Sequence, residues 1–174
     1  MTKREDYITW GTYFMEIAKI SSQRSKDPNT QVGAVVVGQN NKIIGTGYNG
    51  MPRGCSDDIF PWTRPDKHLY VCHAELNAIL NANNFNMLEG STLYSTLFPC
   101  NECSKIILQM GIKKVVYLED KYAERDEFKA SKIMFDAANI KYEAFVESIK
   151  EPILDPIITS VINKSPNKKE SNKD

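Results

Sequence analysis

The sequence carries no surplus of positive charge. Its 22 Lys and Arg residues balance 22 Asp and Glu residues, so the formal net charge is zero. Proteins that grip long stretches of nucleic acid usually have an excess of Lys and Arg, because phosphate contacts need cations. The balanced charge therefore favours a small molecule, and not a nucleic acid, as the partner.

Long apolar runs are also absent from the sequence. No stretch approaches the roughly 20 apolar residues that a membrane-spanning helix needs. The residues that follow Met1 are charged and do not form an apolar signal segment. We therefore expect a cytoplasmic protein with no membrane partner.

Cysteine is scarce, with four residues at positions 55, 72, 100 and 103. Thiols stay reduced in the cytosol. The Cys-x-x-Cys pair of Cys100 and Cys103 therefore indicates metal or redox chemistry, not a structural disulfide. The pair alone leaves zinc and redox chemistry equally open.

The 174 residues are enough for one domain with a buried core. Apolar periodicity predicts helices and strands that alternate along the chain. The predicted helices cover residues 7–23, 73 to about 83, 100–110 and 128–138. The predicted strands cover residues 32–37, 42–48, 91–97, 114–118 and 142–146. This order predicts an α/β three-layer sandwich with a mixed sheet, whose first two strands form an antiparallel hairpin and whose later strands are parallel.

Two stretches fall outside this pattern. Residues 49–71 show no clear period, and a loop of this length in a compact domain is commonly a lid or a binding loop, with an exposed insertion as the alternative. Residues 163–174 are polar and rich in lysine, which predicts a disordered tail after a single domain over residues 1–162.

A metal-binding pattern stands between the predicted elements. His73 is followed two residues later by Glu75, and Pro99 is followed by Cys100 and Cys103. The pattern H-x-E…P-C-x-x-C is the signature of zinc nucleobase deaminases. Two cysteines three apart at a helix start can point their sulfur atoms at one metal ion. Three ligands leave the fourth tetrahedral position to water, as in catalytic zinc sites.

Glu75 is expected to transfer protons. It would accept a proton from zinc-bound water and deliver it to the ring nitrogen and to the departing ammonia. The alternative is that Glu75 only stabilises the first turn of a helix, where acidic residues are common. That alternative is preferred for an isolated glutamate, but not beside a His/Cys/Cys set.

A closed, purely structural zinc site would need a fourth protein ligand. His68 is the only competitor for that position. Cys72 precedes His73 directly and is interpreted as a small buried residue, as is Cys55 in the long loop. If His68 completed the site, the protein would be a non-catalytic zinc-binding module.

Six segments outside and around the zinc motif carry a closer resemblance. They are RSKDP (24–28), VGA (32–34), GYNGMP (47–52), GCSDD (54–58), VCHAELNA (71–78) and LFPCNEC (97–103). Together they resemble the deoxycytidylate (dCMP) deaminase family, from residue 7 to about residue 142. The resemblance implies a cytidine-deaminase-like sandwich with a five-stranded mixed sheet between helices. It also implies hydrolysis of dCMP to dUMP and ammonia, which feeds thymidylate synthesis.

The resemblance further implies a homohexamer that dCTP activates and that dTTP inhibits together with Mg²⁺. The glycine-rich segment 45–54 can bring backbone amides close to phosphates, so it is the candidate regulatory site. Its candidate residues are Gly47, Tyr48, Gly50, Met51, Arg53 and Gly54. Asp57 or Asp58 is the candidate contact for the magnesium ion, although loop carboxylates are usually only solvated.

The candidate substrate-binding residues are Ser21, Arg24, Lys26, Asn49, Phe98 and Tyr122. Asn49 would bond the sugar or the base, although its local sequence is also that of an ordinary turn asparagine. Arg24 and Lys26 offer cations for the phosphate, or else complement a helix dipole. Phe98 would stack on the base or lie in the core, and Tyr122 is a weaker phosphate candidate.

The nearest rival function is a deaminase of the same fold that acts on adenosine or cytosine in tRNA or DNA. The zero net charge and the closer motif match argue against it.

Overall fold

The computed structural model describes residues 2–146 of the chain. In this part of the chain the α-helices are α1 (Trp10–Ser22), α2 (Ala74–Leu80), α3 (Asn101–Gln109) and α4 (Asp126–Ala137). The strands are β1 (Gly33–Val37), β2 (Ile43–Tyr48), β3 (Thr92–Leu97), β4 (Lys114–Glu119) and β5 (Lys141–Ala144). No helix within these residues has the length and apolar character needed to cross a membrane.

Every predicted helix and strand is present, although some ends differ. α1 begins at Trp10 and not at residue 7, because Oγ1 of Thr9 accepts a hydrogen bond from the backbone N of Thr12 at 3.2 Å and so caps the helix. The predicted irregular loop 49–71 contains a short 3-10 helix, Asp66–Leu69. The predicted tail and the end of the predicted domain at residue 162 lie outside the described residues.

The five strands form one mixed sheet in the order β2-β1-β3-β4-β5. β1 pairs antiparallel with both β2 and β3. β3 and β4 are parallel, as are β4 and β5. The predicted hairpin and the predicted parallel strands are therefore confirmed.

The interior strand β1, which lies between β2 and β3, is buried along its whole length. Its side chains alternate between two apolar clusters, as the pleat of a strand requires. Ala34 and Val36 join the cluster that contains residues of α2, α3 and α4. Val35 and Val37 join the cluster formed with α1, which includes Phe14. The sheet is thus covered on both faces, which confirms the three-layer sandwich.

Glycines of β2 let α2 pack directly against the sheet. A Cβ atom at Gly47 would lie 2.2 Å from the backbone N of Ala78, and one at Gly45 would lie 2.1 Å from the carbonyl O of Ala78. A larger residue at either position would push α2 away. This close contact fixes the start of α2, where the predicted metal ligand His73 lies.

Candidate active site

His73 lies immediately before α2. Its backbone is extended, with φ −76° and ψ 158°, and the helix begins at the next residue. The preceding residue, Cys72, exchanges two backbone hydrogen bonds with Gly50, at 2.9 and 3.1 Å. This bridge fixes the chain on one side of His73 and the helix fixes it on the other.

Cys100 and Cys103 lie at the start of α3. Cys100 is the N-cap residue and Cys103 belongs to the first turn. Pro99 precedes them at the helix entry and is buried. The backbone of Cys100 is extended, as is usual for an N-cap residue. The sulfur atoms of Cys100 and Cys103 both lie near the imidazole of His73.

The three side chains form a set of metal donors. Nδ1 of His73 lies 3.3 Å from Sγ of Cys100 and 3.4 Å from Sγ of Cys103. A tetrahedral zinc ion with bonds of about 2.0 Å to nitrogen and about 2.3 Å to sulfur places such donors about 3.5 Å apart. Within residues 2–146, this is the one cluster of three or more His, Cys, Asp or Glu side chains with that proximity. The donors therefore fit a zinc ion.

The titration of the two thiols also favours a cation between them. The hydrogen bond with Cys103 lowers the pKa of Cys100 to about 4. The neighbouring Cys100 in turn raises the pKa of Cys103 well above its ordinary value. The hydrogen bond with Cys100 raises the pKa of His73 to about 9. A dication held by both sulfur atoms would stabilise both thiolates.

Glu75 lies beside these donors and is only 4% exposed. Its Oε1 accepts a hydrogen bond from Oγ of Ser95 at 3.0 Å, and its Oε2 accepts one from Sγ of Cys103 at 3.4 Å. Burial raises the pKa of Glu75. A carboxyl group with a raised pKa is suited to carry a proton near neutral pH.

A cavity of about 380 Å³ opens beside this group. Its volume falls in the range of small-molecule sites, about 300–1,000 Å³. His73, Cys100 and Glu75 line it, and so do Phe98 and Asn49. The metal donors and the glutamate therefore face a space that can hold a nucleotide-sized molecule.

Asn49 is buried in the wall of this cavity, and its amide is hydrogen-bonded within the protein. Its Oδ1 accepts a hydrogen bond from the backbone N of Val32 at 2.8 Å. Its Nδ2 donates to the carbonyl O of Thr30 at 2.9 Å and to Oδ2 of Asp27 at 3.4 Å. These contacts fix the turn between α1 and β1 against the start of the long loop.

Phe98 and Tyr122 also line the cavity. Phe98 is 1% exposed, and its ring packs edge-on against Tyr117 with 4.9 Å between the centroids. Tyr122 is half-buried, and its hydroxyl accepts a hydrogen bond from Arg64 at 3.3 Å. Phe98 thus serves the core and the cavity wall together.

Three predicted substrate-binding residues do not line the cavity. Oγ of Ser21 donates to the carbonyl O of Ile17 at 2.7 Å within α1. Lys26 pairs with Asp57 on the surface, and the guanidinium carbon of Arg24 lies 6.0 Å from the ring centre of Tyr48. The structure places these three side chains away from the cavity that Glu75 lines.

The predicted regulatory residues lie close together in sequence and outside the cavity lining. Gly47 lies within β2, and the close approach of α2 is by itself sufficient reason for a glycine at this position. Gly50 forms the bridge with Cys72, and Met51 follows it. Arg53 is exposed, and Gly54 has a φ of +88°.

Several residues of the site have no signal in the sequence. Ser95 belongs to β3, and the sequence predicts it only as part of a strand. Lys67 is 3% exposed and pairs with the equally buried Asp27 in the cavity wall. Lysine is rarely buried, so nothing in the sequence distinguishes it from a surface lysine.

His68 lines the cavity but does not belong to the metal-donor cluster.

Comparisons with known proteins agree with this geometry. Residues 8–119 match the family model described as cytidine and deoxycytidylate deaminase zinc-binding region. Human deoxycytidylate deaminase is 52% identical over 150 residues, which cover 83% of this chain and 84% of the human protein. A probable deoxycytidylate deaminase of Drosophila melanogaster is 50% identical over 85% of this chain and 78% of its own length. The crystal structure of dCMP deaminase from the cyanophage S-TIM5, in complex with dCMP and dUMP, is 31% identical with a TM-score of 0.60, covering 77% of this chain and 95% of the phage chain.

Proposed function

This chain belongs to the cytidine and deoxycytidylate deaminase family, and we therefore propose that it hydrolyses dCMP to dUMP and ammonia. The observation that carries this proposal is the 52% identity with human deoxycytidylate deaminase over 83% of the chain. The buried Glu75 beside three metal donors, in a cavity of suitable volume, supports the same chemistry.

The proposed ligands of the catalytic zinc ion are His73, Cys100 and Cys103. When bound, zinc supplies Lewis-acid activation of water at neutral pH. The three side chains hold their donor atoms within 4.8 Å of one another. This spacing supports their assignment as ligands of one ion.

Glu75 is the proposed proton carrier. Its carboxyl group takes one proton from the attacking water and passes it to N3 of the cytosine ring. It then takes the second proton of that water, from the new hydroxyl on C4, and passes it to the amine, which leaves as ammonia. The hydrogen bond from Ser95 holds Oε1 and so orients the carboxyl group. Burial raises its pKa, which favours the uptake of a proton by this carboxyl group.

The substrate lies in the cavity, with Phe98 and Asn49 in its wall. Phe98 contributes an apolar surface for the base, and Asn49 borders the sugar. Because the amide of Asn49 is already bonded to the backbone of residues 30 and 32, it binds substrate only with a carbonyl lone pair that remains on Oδ1.

The proposed regulation follows the family resemblance. We propose a cytoplasmic homohexamer that dCTP activates and that dTTP inhibits with Mg²⁺, through the segment from Gly47 to Gly54. The exposed guanidinium of Arg53 and the turn at Gly54 support a nucleotide phosphate there. Asp58 is exposed and is the better candidate for the magnesium ion, because Asp57 already pairs with Lys26.

The test is a comparison of substrates. Purified, zinc-loaded protein is incubated with dCMP, dCTP, deoxycytidine and a tRNA anticodon stem-loop, and ammonia release is followed. We expect dCMP to be the preferred substrate. Activity on the RNA alone would refute the proposal, and inactivity on all four would favour a non-catalytic zinc module. Repeating the dCMP assay with dCTP or with dTTP and Mg²⁺ tests the regulation separately.

A further inference from the structure

Ser95 is a polar residue in the middle of an apolar strand face. Its neighbours on that face of β3, Leu93 and Leu97, pack into the cluster that contains residues of α2, α3 and α4. Ser95 itself is completely buried, with 0% of its surface exposed. Removing a hydroxyl group from water costs free energy unless a hydrogen bond replaces the lost contacts. A specific partner must therefore account for a serine at this position.

The partner of Ser95 is the carboxyl group of Glu75. Oγ of Ser95 lies 3.0 Å from Oε1 of Glu75. The backbone N of Leu97 donates to the same Oγ atom at 3.4 Å. A hydroxyl group has one hydrogen to donate. Among residues 2–146, the carboxyl group of Glu75 is the one acceptor within reach of that hydrogen, so Ser95 is the donor and Oε1 is the acceptor.

Burial of a serine does not by itself create such a contact. Ser91 and Ser104 are also buried, and their hydroxyl groups have no hydrogen-bond partner within residues 2–146. Ser95 differs from them because its hydroxyl group meets a carboxyl group that lines the cavity. Ser91 directly precedes β3, so it provides a matched comparison: a buried serine of the same segment whose hydroxyl group holds nothing.

The two oxygens of Glu75 have different surroundings. Oε1 accepts the hydrogen bond from the sheet, whereas Oε2 lies 3.4 Å from Sγ of Cys103, at the set of metal donors. A thiol is a weak hydrogen-bond donor, so Oε2 is held less firmly than Oε1. Ser95 does not line the cavity, and its effect on a bound molecule therefore passes through Glu75.

We propose that Ser95 is a positioning residue that gives the two oxygens of Glu75 different tasks: Oε1 stays a hydrogen-bond acceptor, and Oε2 carries each transferred proton. This inference rests on the proposed function. If Oε1 took up a proton, its O–H would meet the O–H of Ser95, and the buried serine hydroxyl would lose its acceptor. The proton is therefore carried by the oxygen beside the metal donors. Because the same oxygen serves both transfers, the carboxyl group does not turn between them.

The experiment compares two variants that have nearly the same shape, Ser95→Thr and Ser95→Val. Both side chains are β-branched, but only threonine carries a hydroxyl group. Ser95→Val should lower kcat for dCMP about tenfold, as expected for the loss of a hydrogen bond to a charged group, and should leave KM unchanged. Ser95→Thr should retain most of the wild-type kcat. Zinc content and melting temperature, measured on both variants, should be equal.

A binding measurement separates the positioning of Glu75 from a general loss of structure. The ligands are dUMP, in which C4 is planar, and a dCMP analogue in which C4 is tetrahedral and carries a hydroxyl group, as in the intermediate. Calorimetry should show that Ser95→Val binds the analogue about tenfold more weakly than Ser95→Thr does, because only the analogue needs an oriented Glu75. Both variants should bind dUMP equally. Ser91→Ala is the control and should match the wild type in every measurement.

Each result decides the question. Equal kcat values in Ser95→Thr and Ser95→Val would overturn the inference, as would equal losses of affinity for dUMP and for the analogue. If the added methyl groups prevent folding, Ser95→Ala is compared with Ser91→Ala. The inference then requires the tenfold loss of kcat in Ser95→Ala alone, and equal kcat values would overturn it. If the wild-type protein does not deaminate dCMP at all, the proposed function fails, and that outcome is distinct from the others.

Discussion

Lys67 donates a hydrogen bond through Nζ to Oδ2 of Asp27, and each residue is only 3% exposed. The pair joins the end of the long loop to the turn that follows α1. Oδ1 of Asp27 accepts hydrogen bonds from the backbone N atoms of Asn29 and Thr30, at 2.8 and 3.1 Å. One buried ion pair therefore holds two loops that line the cavity.

Removing the lysine should destabilise the protein strongly. Lys67→Met leaves the carboxylate of Asp27 buried without its cation, which typically costs about 3–5 kcal/mol. The measurement is the free energy of unfolding from urea titration. Lys26→Met is the matched control, because it removes the lysine of an exposed Lys–Asp pair and should leave the stability nearly unchanged. Equal effects of the two substitutions would contradict the importance of the buried pair.

Glu75→Gln should keep zinc and fold but lose deamination. The amide cannot accept and release the proton, and general acid–base catalysis typically contributes about 10²- to 10⁴-fold. The checks are kcat with dCMP, zinc content by atomic spectroscopy and the melting temperature. Glu124→Gln, an exposed glutamate outside the cavity lining, should behave as wild type. Substantial activity in Glu75→Gln would rule out the proton-carrier role.

The choice of zinc ligands can be tested by substitution. Cys103→Ser should lose most of the zinc, because a neutral hydroxyl replaces a thiolate donor. His68→Ala should retain it, since His68 lies outside the donor cluster. The measurement is the zinc content of each variant after dialysis. Loss of zinc from His68→Ala would indicate a closed site with four protein ligands.

Zinc affinity should rise with pH. The pKa of His73 is raised to about 9 and the pKa of Cys103 is raised further, so both side chains hold protons at neutral pH in the metal-free protein. Binding must release those protons, and lowering the pH therefore weakens it. Competition with a chromophoric chelator between about pH 6 and pH 8 should show roughly a tenfold change per pH unit for each proton released. An affinity independent of pH would contradict the assigned donors.

Gly47→Ala should damage stability and activity together. Its Cβ would lie 2.2 Å from the backbone N of Ala78, so α2 would have to move away from β2. Overpacking of this kind typically costs about 1–3 kcal/mol or more. Gly11→Ala in α1 is the control, since its Cβ would come no closer than 3.8 Å to a neighbouring atom. Urea unfolding and dCMP turnover measure the two effects, and a fully stable, active Gly47→Ala protein would contradict this packing.

The sequence was most informative where the functional residues lie close together along the chain. His73 and Glu75 are two apart, and Cys100 and Cys103 are three apart, so the metal donors and the proton carrier could be identified before the fold was known. Alternating apolar segments likewise predicted the sheet and its layers. These features depend on local spacing, which a single sequence displays directly.

Long-range side-chain placement could not be read in the same way. Lys26 and Lys67 are the same residue type, yet the side chain of one is 63% exposed and that of the other 4% exposed. The difference arises because Asp27 turns inward while its neighbour Lys26 points to the surface. Arg125 similarly follows a strand without any motif, and only the folded chain brings it to Tyr122.

The bridge between Gly50 and Cys72 joins the proposed regulatory segment to the residue that precedes the metal donor His73. Cys72 is covalently bonded to His73, so residue 50 is separated from the imidazole-bearing residue by two backbone hydrogen bonds and one peptide bond. An effector that displaced this segment would act on the backbone beside a metal-donor residue. Thermodynamic linkage then requires reciprocity: zinc must change the affinity for such an effector by the same factor as the effector changes the affinity for zinc.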